Sequence, residues 1–362
     1  SYGQIIFVSM SQKSSGIKLQ KGLSRAKLLI PTILSIGVMI YLFKDDFANA
    51  KGFTWTSSTT VALFAALCMV FIRDAAYVIR LKILSTGSLS WRGSFNSVML
   101  WEFASALTPT VIGGSAFAVL ILKREGLNLG KSVATVLVTA LMDELFYVIA
   151  VPTVLLFASL ESFFPHDASN FWFETGVQTV FFGGYILTCI VSLVVISALF
   201  ISPSGTGKII SLVFKLPLLR KWSYKVSDWT EDWTLASKNL KGRSFAFWGG
   251  ALGATLASWT ARFLTLNAIL IAFMEVVPHA EIVAKQLAMW IVMLLSPTPG
   301  ASGIAEVAFP TFIGPALLPV ISMAALGGVV LVWRTLTYFI YLIIGAVIVP
   351  NWLANTSPKS GT

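Results

Sequence analysis

Long apolar runs, separated by short polar stretches, set the pattern of this chain. A spanning helix needs about 20 predominantly apolar residues. Six runs read as such helices: about 28–43, 59–80, 131–158, 177–201, 245–273 and 317–349. The last is long for one helix, and its apolar pattern fits either one tilted helix or two shorter segments. Two further stretches, 92–130 and 285–314, do not read as plain spans. Each has an apolar arm that is cut by prolines and glycines and resumes as a short second arm.

The first break is Thr108-Pro109-Thr110-Val111-Ile112-Gly113-Gly114-Ser115, between the arms 95–107 and 116–122. The second is Ser296-Pro297-Thr298-Pro299-Gly300-Ala301-Ser302-Gly303-Ile304-Ala305-Glu306, between 287–295 and 307–313. Irregular backbone at membrane depth is tolerated only inside protein or beside a watery cavity. Ser115 is expected to cap the short arm of the first hairpin, and Gly300 or Ser302 that of the second. The opening amides, near Gly113, Gly114 and Gly303, then aim partial positive charge into a cavity, with Glu306 in the first turn.

Arg92 precedes the first hairpin and Lys123-Arg124 follow it, so both its ends belong on one side. By parity the second hairpin opens from the other side. The order span–span–hairpin–span thus occurs twice, over about 28–158 and 177–349, in inverted topology. The expected fold is an all-α polytopic membrane protein. It has about six spanning helices and two re-entrant broken-helix hairpins, in one transmembrane domain (28–349) between a leading segment 1–27 and a tail 350–362.

Composition agrees: of 362 residues, 56% are hydrophobic and 12% charged, which excludes an ordinary soluble domain. The ten-residue alternation of a membrane barrel is missing. The net charge of +10 sits mostly in loops that can face the cytoplasm, so both termini are expected there. The basic loop 202–244 interleaves Trp222, Tyr224, Trp229 and Trp233 with lysines and arginines. It reads as lying on anionic headgroups; nucleic acid is not an expected partner. Cys68 and Cys189 lie in apolar runs and read as small core residues. Residues 1–9 precede Met10 and read as a vector remnant or a start-site artefact.

Eight ionisable residues fall within these apolar segments: Arg73, Asp74, Glu102, Asp143, Glu144, Arg262, Glu306 and Arg334. Each costs on the order of 2.5–3.5 kcal/mol at a span centre. One outcome is interhelical ion pairs that only fix the packing. The other is a polar cavity in which Arg73, Arg262 and Arg334 meet phosphate oxygens, with the helix breaks contributing amides. Asp74, Glu102, Asp143, Glu144 and Glu306 would then balance charge or carry a proton or cation. His166 and His279 fall in predicted outside loops and read as surface residues. No H-E-x-x-H, paired-His or aspartate-rich motif is present, so no catalyst, metal or cofactor is expected.

The two breaks carry a resemblance. Thr108-Pro109, Gly113-Gly114 and then Lys123-Arg124-Glu125-Gly126, through Gly130-Lys131, resemble a P…GG…K-R-x-G-x-x-x-G-K pattern. The second break resembles P-x-P-G-G-x-G-x-x-E, with Ala301 where a second glycine is common. Both patterns belong to the lysylphosphatidylglycerol synthase transmembrane region family, and the resemblance extends over about 28–349. It implies movement of a phosphate-bearing lipid between leaflets, an aminoacyl-phospholipid or a polyprenyl-phosphate-linked sugar, in a bacterial cytoplasmic (inner) membrane. Ser115-Ala116-Phe117 departs from the polar turn of many members, which leaves the headgroup open. No soluble aminoacyl-transfer half follows residue 349, so synthesis of the lipid is not expected. The competing expectations are an ion-coupled small-solute transporter and a membrane lipid-phosphate enzyme. The oligomeric state is left open.

Overall fold

The computed structural model describes residues 25–48, 55–164 apart from 109, 171–202 and 240–356 apart from 295, with single positions between 205 and 238. Every regular element among the described residues is helical. In chain order these are α1 (Arg25–Ala48), α2 (Ser57–Leu84), α3 (Trp91–Leu107), α4 (Thr110–Arg124), α5 (Leu129–Leu155) and α6 (Phe171–Ile196). Then come α7 (Phe245–Leu270), α8 (His279–Leu294), α9 (Ile304–Phe312), the single turn α10 (Gly314–Leu317), α11 (Met323–Arg334) and α12 (Ile340–Thr356). A π turn, Thr335–Phe339, joins α11 to α12.

Short polar residues start these helices by accepting an otherwise orphaned amide hydrogen. Ser90 accepts from Gly93 N (2.9 Å), Asn128 from Lys131 N (2.8 Å), and Ser322 from Ala325 N (3.2 Å). Among the described residues, four helical stretches are long and apolar enough to cross a membrane: Ser57–Leu84, Leu129–Leu155, Thr175–Ile201 and Met323–Thr356. Of the stretch expected at 317–349, the part from Met323 is one continuous helix through the π turn, and it runs on to Thr356 in the segment expected as tail. α1 and α7 reach about 36 and 39 Å at 1.5 Å per residue, enough by length. α3, α4 and α9, at 17, 15 and 9 residues, fall short of a crossing.

Burial follows a membrane pattern. On α2, Phe64 and Phe71 are 68% and 74% exposed, while Arg73 and Arg80 are only 1% and 3% exposed. The buried face of α2 steps by three and four through Thr59, Ala62, Ala66, Val70, Arg73, Tyr77, Arg80 and Leu84. It packs on α7, whose facing residues include the small Ala251, Ala254, Thr255, Ser258 and Ala261. Small residues let two helices approach closely where lipid provides no hydrophobic drive. One core joins α7, α8, α9 and α11; a second joins α2, α3, α4 and α12.

Three local expectations are corrected. α4 begins at Thr110, so Gly113, Gly114 and Ser115 lie within the helix and Ser115 does not stand at its start. Gly114 instead permits a close crossing: a Cβ there would stand 2.2 Å from Ser105 Oγ on α3. At the second break neither Gly300 nor Ser302 caps α9; the cap position is Gly303, at φ +83°. Cys68 and Cys189 are free thiols of intermediate exposure, not core residues. His166 and most of the basic loop 202–244 lie outside the described residues.

Candidate functional site: a charged network and two meeting helix breaks

Glu306 is fully buried, and three elements close on its carboxylate. Arg334 Nε on α11 donates to Oε1 at 2.6 Å, and Ser35 on α1 donates to the same oxygen. Gly303 N donates to Oε2 at 2.6 Å. The positive end of α9, expected to face a cavity, is thus answered by its own third residue. This ties the second break to α1 and α11.

Four residues beyond Arg334, Tyr338 sits on the π turn, and the guanidinium carbon of Arg334 lies 4.0 Å from its ring centroid. Ser302 donates to the Tyr338 hydroxyl at 3.0 Å. That hydroxyl donates to the Ala106 carbonyl at 3.2 Å, in the last turn of α3 before the first break. Gly300, at φ +56°, lies under the ring: a Cβ would stand 2.3 Å from the ring edge and 3.1 Å from Ala106 O. The two breaks therefore meet, and Tyr338 is the bridge between them.

A second cluster lies further along α12 and α3. Arg73 donates to Tyr341 Oη at 2.6 Å and to Glu102. Tyr341 in turn donates to Asp74 at 2.9 Å. Arg262 on α7 reaches the same Glu102 oxygen at 3.4 Å and is the loosest of the arginines in this network. Its guanidinium stands between Trp259 (4.9 Å) and Trp290 (5.0 Å), with its Nε unpartnered among the described residues. Arg73 Nε and Arg334 Nη2 are likewise unpartnered there.

Asp143 is held in a two-pronged pair by Arg80, at 2.5 and 3.1 Å, and accepts from Trp259 Nε1 at 2.7 Å. Glu144 accepts from Ser192 at 3.2 Å. All eight expected ionisable residues thus join helix-to-helix contacts. Arg73, Asp74, Glu102 and Arg262 form one group, Glu306 and Arg334 another, and Asp143 and Glu144 face different neighbours. Gly114 packs instead on Ser105 of α3, beside Ala106. His279, expected as a plain surface residue, pairs its Nδ1 with Asn267 Oδ1 at 2.8 Å.

Sequence reading missed Tyr338 and Tyr341, and gave Arg80 no part in the charged set, although it lies seven residues after Arg73, on the same helical face. Tyr338 and Tyr341 follow Arg334 by four and seven, the same signal. No group of three or more potential metal ligands occurs among the described residues.

A curated UPF0104 membrane protein of Archaeoglobus fulgidus is 25% identical over 335 residues, covering 88% of this chain and 95% of that protein. No solved structure matches. Residues 28–345 match the family described as the lysylphosphatidylglycerol synthase TM region. With its buried charges, its two broken helices and a match over most of its length, this integral membrane protein belongs to the lysylphosphatidylglycerol synthase transmembrane region family.

Proposed function

We propose that this chain moves a phosphate-bearing lipid between leaflets, through the space that opens when its two helix breaks part. One observation carries the reading: both breaks close on a single side chain, Tyr338, beside buried arginines with unused N–H donors. Such donors suit phosphate oxygens, and Arg262 is the least committed of them. Arg73 and Arg262 occupy equivalent places in the two halves and share Glu102, which supports an inverted repeat. The cargo class is an aminoacyl-phospholipid or a polyprenyl-phosphate-linked sugar. The chain acts as a transporter without cofactor in a bacterial cytoplasmic membrane, with both termini cytoplasmic by the distribution of Lys and Arg.

The test is reconstitution into sealed vesicles with a fluorescent anionic phospholipid and a membrane-impermeant quencher. The wild-type protein is expected to expose inner-leaflet lipid to the quencher. Arg262→Ala is expected to slow this about tenfold, equivalent to 1.4 kcal/mol, while still inserting. Protein-containing vesicles that behave like empty ones overturn the reading. A second reading, an ion-coupled solute transporter, is favoured by Glu144, which has Ser192 and no arginine as partner among the described residues. A Glu144→Gln variant that loses proton-driven solute uptake would select it.

A further inference from the structure

At the opposite end of α3 and α12 from the meeting breaks lies a cleft of about 510 Å³. Its walls carry Arg92 and Asn96 from the first turns of α3, Glu125 from the α4–α5 turn, and Asn351 and Asn355 from the end of α12.

The acceptor in this cleft is held in place. Glu125 Oε1 accepts from Trp352 Nε1 at 2.6 Å. Its other oxygen lies against Gly93, where a Cβ would come within 2.7 Å of it. Trp352 is 3% exposed and packs 5.3 Å from the Arg124 guanidinium, which is itself bonded to Thr356 at 2.8 Å. Arg92, by contrast, is exposed and makes no hydrogen bond or ion pair among the described residues. The cleft thus joins a carboxylate held by Trp352, an exposed guanidinium that makes no direct bond to it, and three primary amides.

Beneath it the wall changes character. Val347 and Ile343, one turn apart on α12, are 66% and 65% exposed. Polar groups above an apolar stripe on a membrane helix match an amphiphile with its head in the cleft and a chain along α12. The geometry points to a phospholipid headgroup seat: Arg92 takes the phosphate, and Glu125 with the three amides takes hydrogen-bond donors of the head, hydroxyl or ammonium. This seat is separate from the buried arginine network, and binding there is measured without transport.

The test is native mass spectrometry of the whole protein in detergent, with phosphatidylglycerol, phosphatidylethanolamine, phosphatidylcholine or free glycerol phosphate added. The wild-type protein is expected to retain one phosphatidylglycerol or phosphatidylethanolamine under activation that strips phosphatidylcholine, whose head has no donor. Arg92→Ala is expected to weaken retention about tenfold, and Arg92→Lys to restore part of it. Glu125→Gln, which can still accept from Trp352, is expected to lose the preference for phosphatidylethanolamine over phosphatidylcholine. Equal retention of all three lipids, or unchanged retention in Arg92→Ala, overturns the proposal. Glycerol phosphate held as tightly as lipid overturns the lipid assignment. Transport lost in a protein that still binds here would bear on the proposed function alone.

Discussion

Ala301 shows how one methyl group records a backbone constraint. It sits at φ +53°, in the left-handed region, where the family pattern commonly places glycine. Removing its Cβ relieves a clash of roughly 1–2 kcal/mol. Ala301→Gly is therefore expected to raise the thermal midpoint in detergent; a lower midpoint would mean that the methyl group's packing outweighs the strain. Glu306 works the other way. Its carboxylate holds a buried guanidinium, a serine and a backbone amide together. Glu306→Gln keeps a carbonyl for Gly303 but leaves Arg334 buried and unpaired, a loss of about 3–5 kcal/mol. Unfolding in denaturant reads this directly, and an unchanged midpoint would show that Arg334 finds water or lipid instead.

Glu125 lies in the turn between α4 and α5, and burial pushes its carboxyl above the ordinary carboxylate range, against the opposing effects of Trp352 and Arg92. The folded state then binds the proton more tightly than the unfolded chain. Stability from this group is full below the unfolded value near 4.3 and is lost as pH rises through the folded value. Relative to Glu125→Gln, the wild-type midpoint is expected to fall as pH rises from about 4 to 7. A constant difference between the two proteins across that range would contradict this.

Among the elements, α3 and α12 form a seam that runs from the breaks to the cleft. A Cβ at Gly345 would stand 2.2 Å from the Phe103 ring and 2.5 Å from its Cβ, so the helices touch there. Gly345→Ala must push α12 away from α3, at about 1–3 kcal/mol for overpacking. It is also expected to weaken the Tyr338 bridge. Loss of stability in Gly345→Ala, with no loss in Gly249→Ala where nothing lies within 4 Å, would confirm the seam; equal effects would refute it.

The apolar runs made the helices legible because hydropathy reports the long segments without needing their partners. The breaks were legible because Pro109, Pro297 and Pro299 cluster with glycines and short polar residues; a lone proline is no such signal, since Pro152, Pro310 and Pro350 all lie inside helices. Their caps were not. Ser115 has the chemistry of a cap but falls inside α4. Glu306, read as a first-turn residue, accepts the Gly303 amide at the start of α9, where Gly300 or Ser302 was expected as the cap. Which arginine meets which carboxylate depends on helix packing, so the shared use of Glu102 by Arg73 and Arg262 left no trace in the linear order. Tyr338 was missed because tyrosines in apolar spans are common at membrane interfaces, and only the folded chain places this one between two breaks.

For the whole molecule, the described conformation is closed: Arg73 and Arg334 are 1% and 3% exposed, and Tyr338 holds the breaks together. On the proposed reading, transport requires the breaks to separate and an arginine to exchange its carboxylate for a phosphate. The exchange favours Arg262, whose contact with Glu102 is 3.4 Å. The most direct measurement is a structure in nanodiscs containing an anionic phospholipid. The account predicts a particle class with lipid phosphate against the Arg262 guanidinium and the Tyr338 hydroxyl released from Ala106. Phosphate found only on the outer apolar faces, with Tyr338 bridging both breaks in every class, would contradict it.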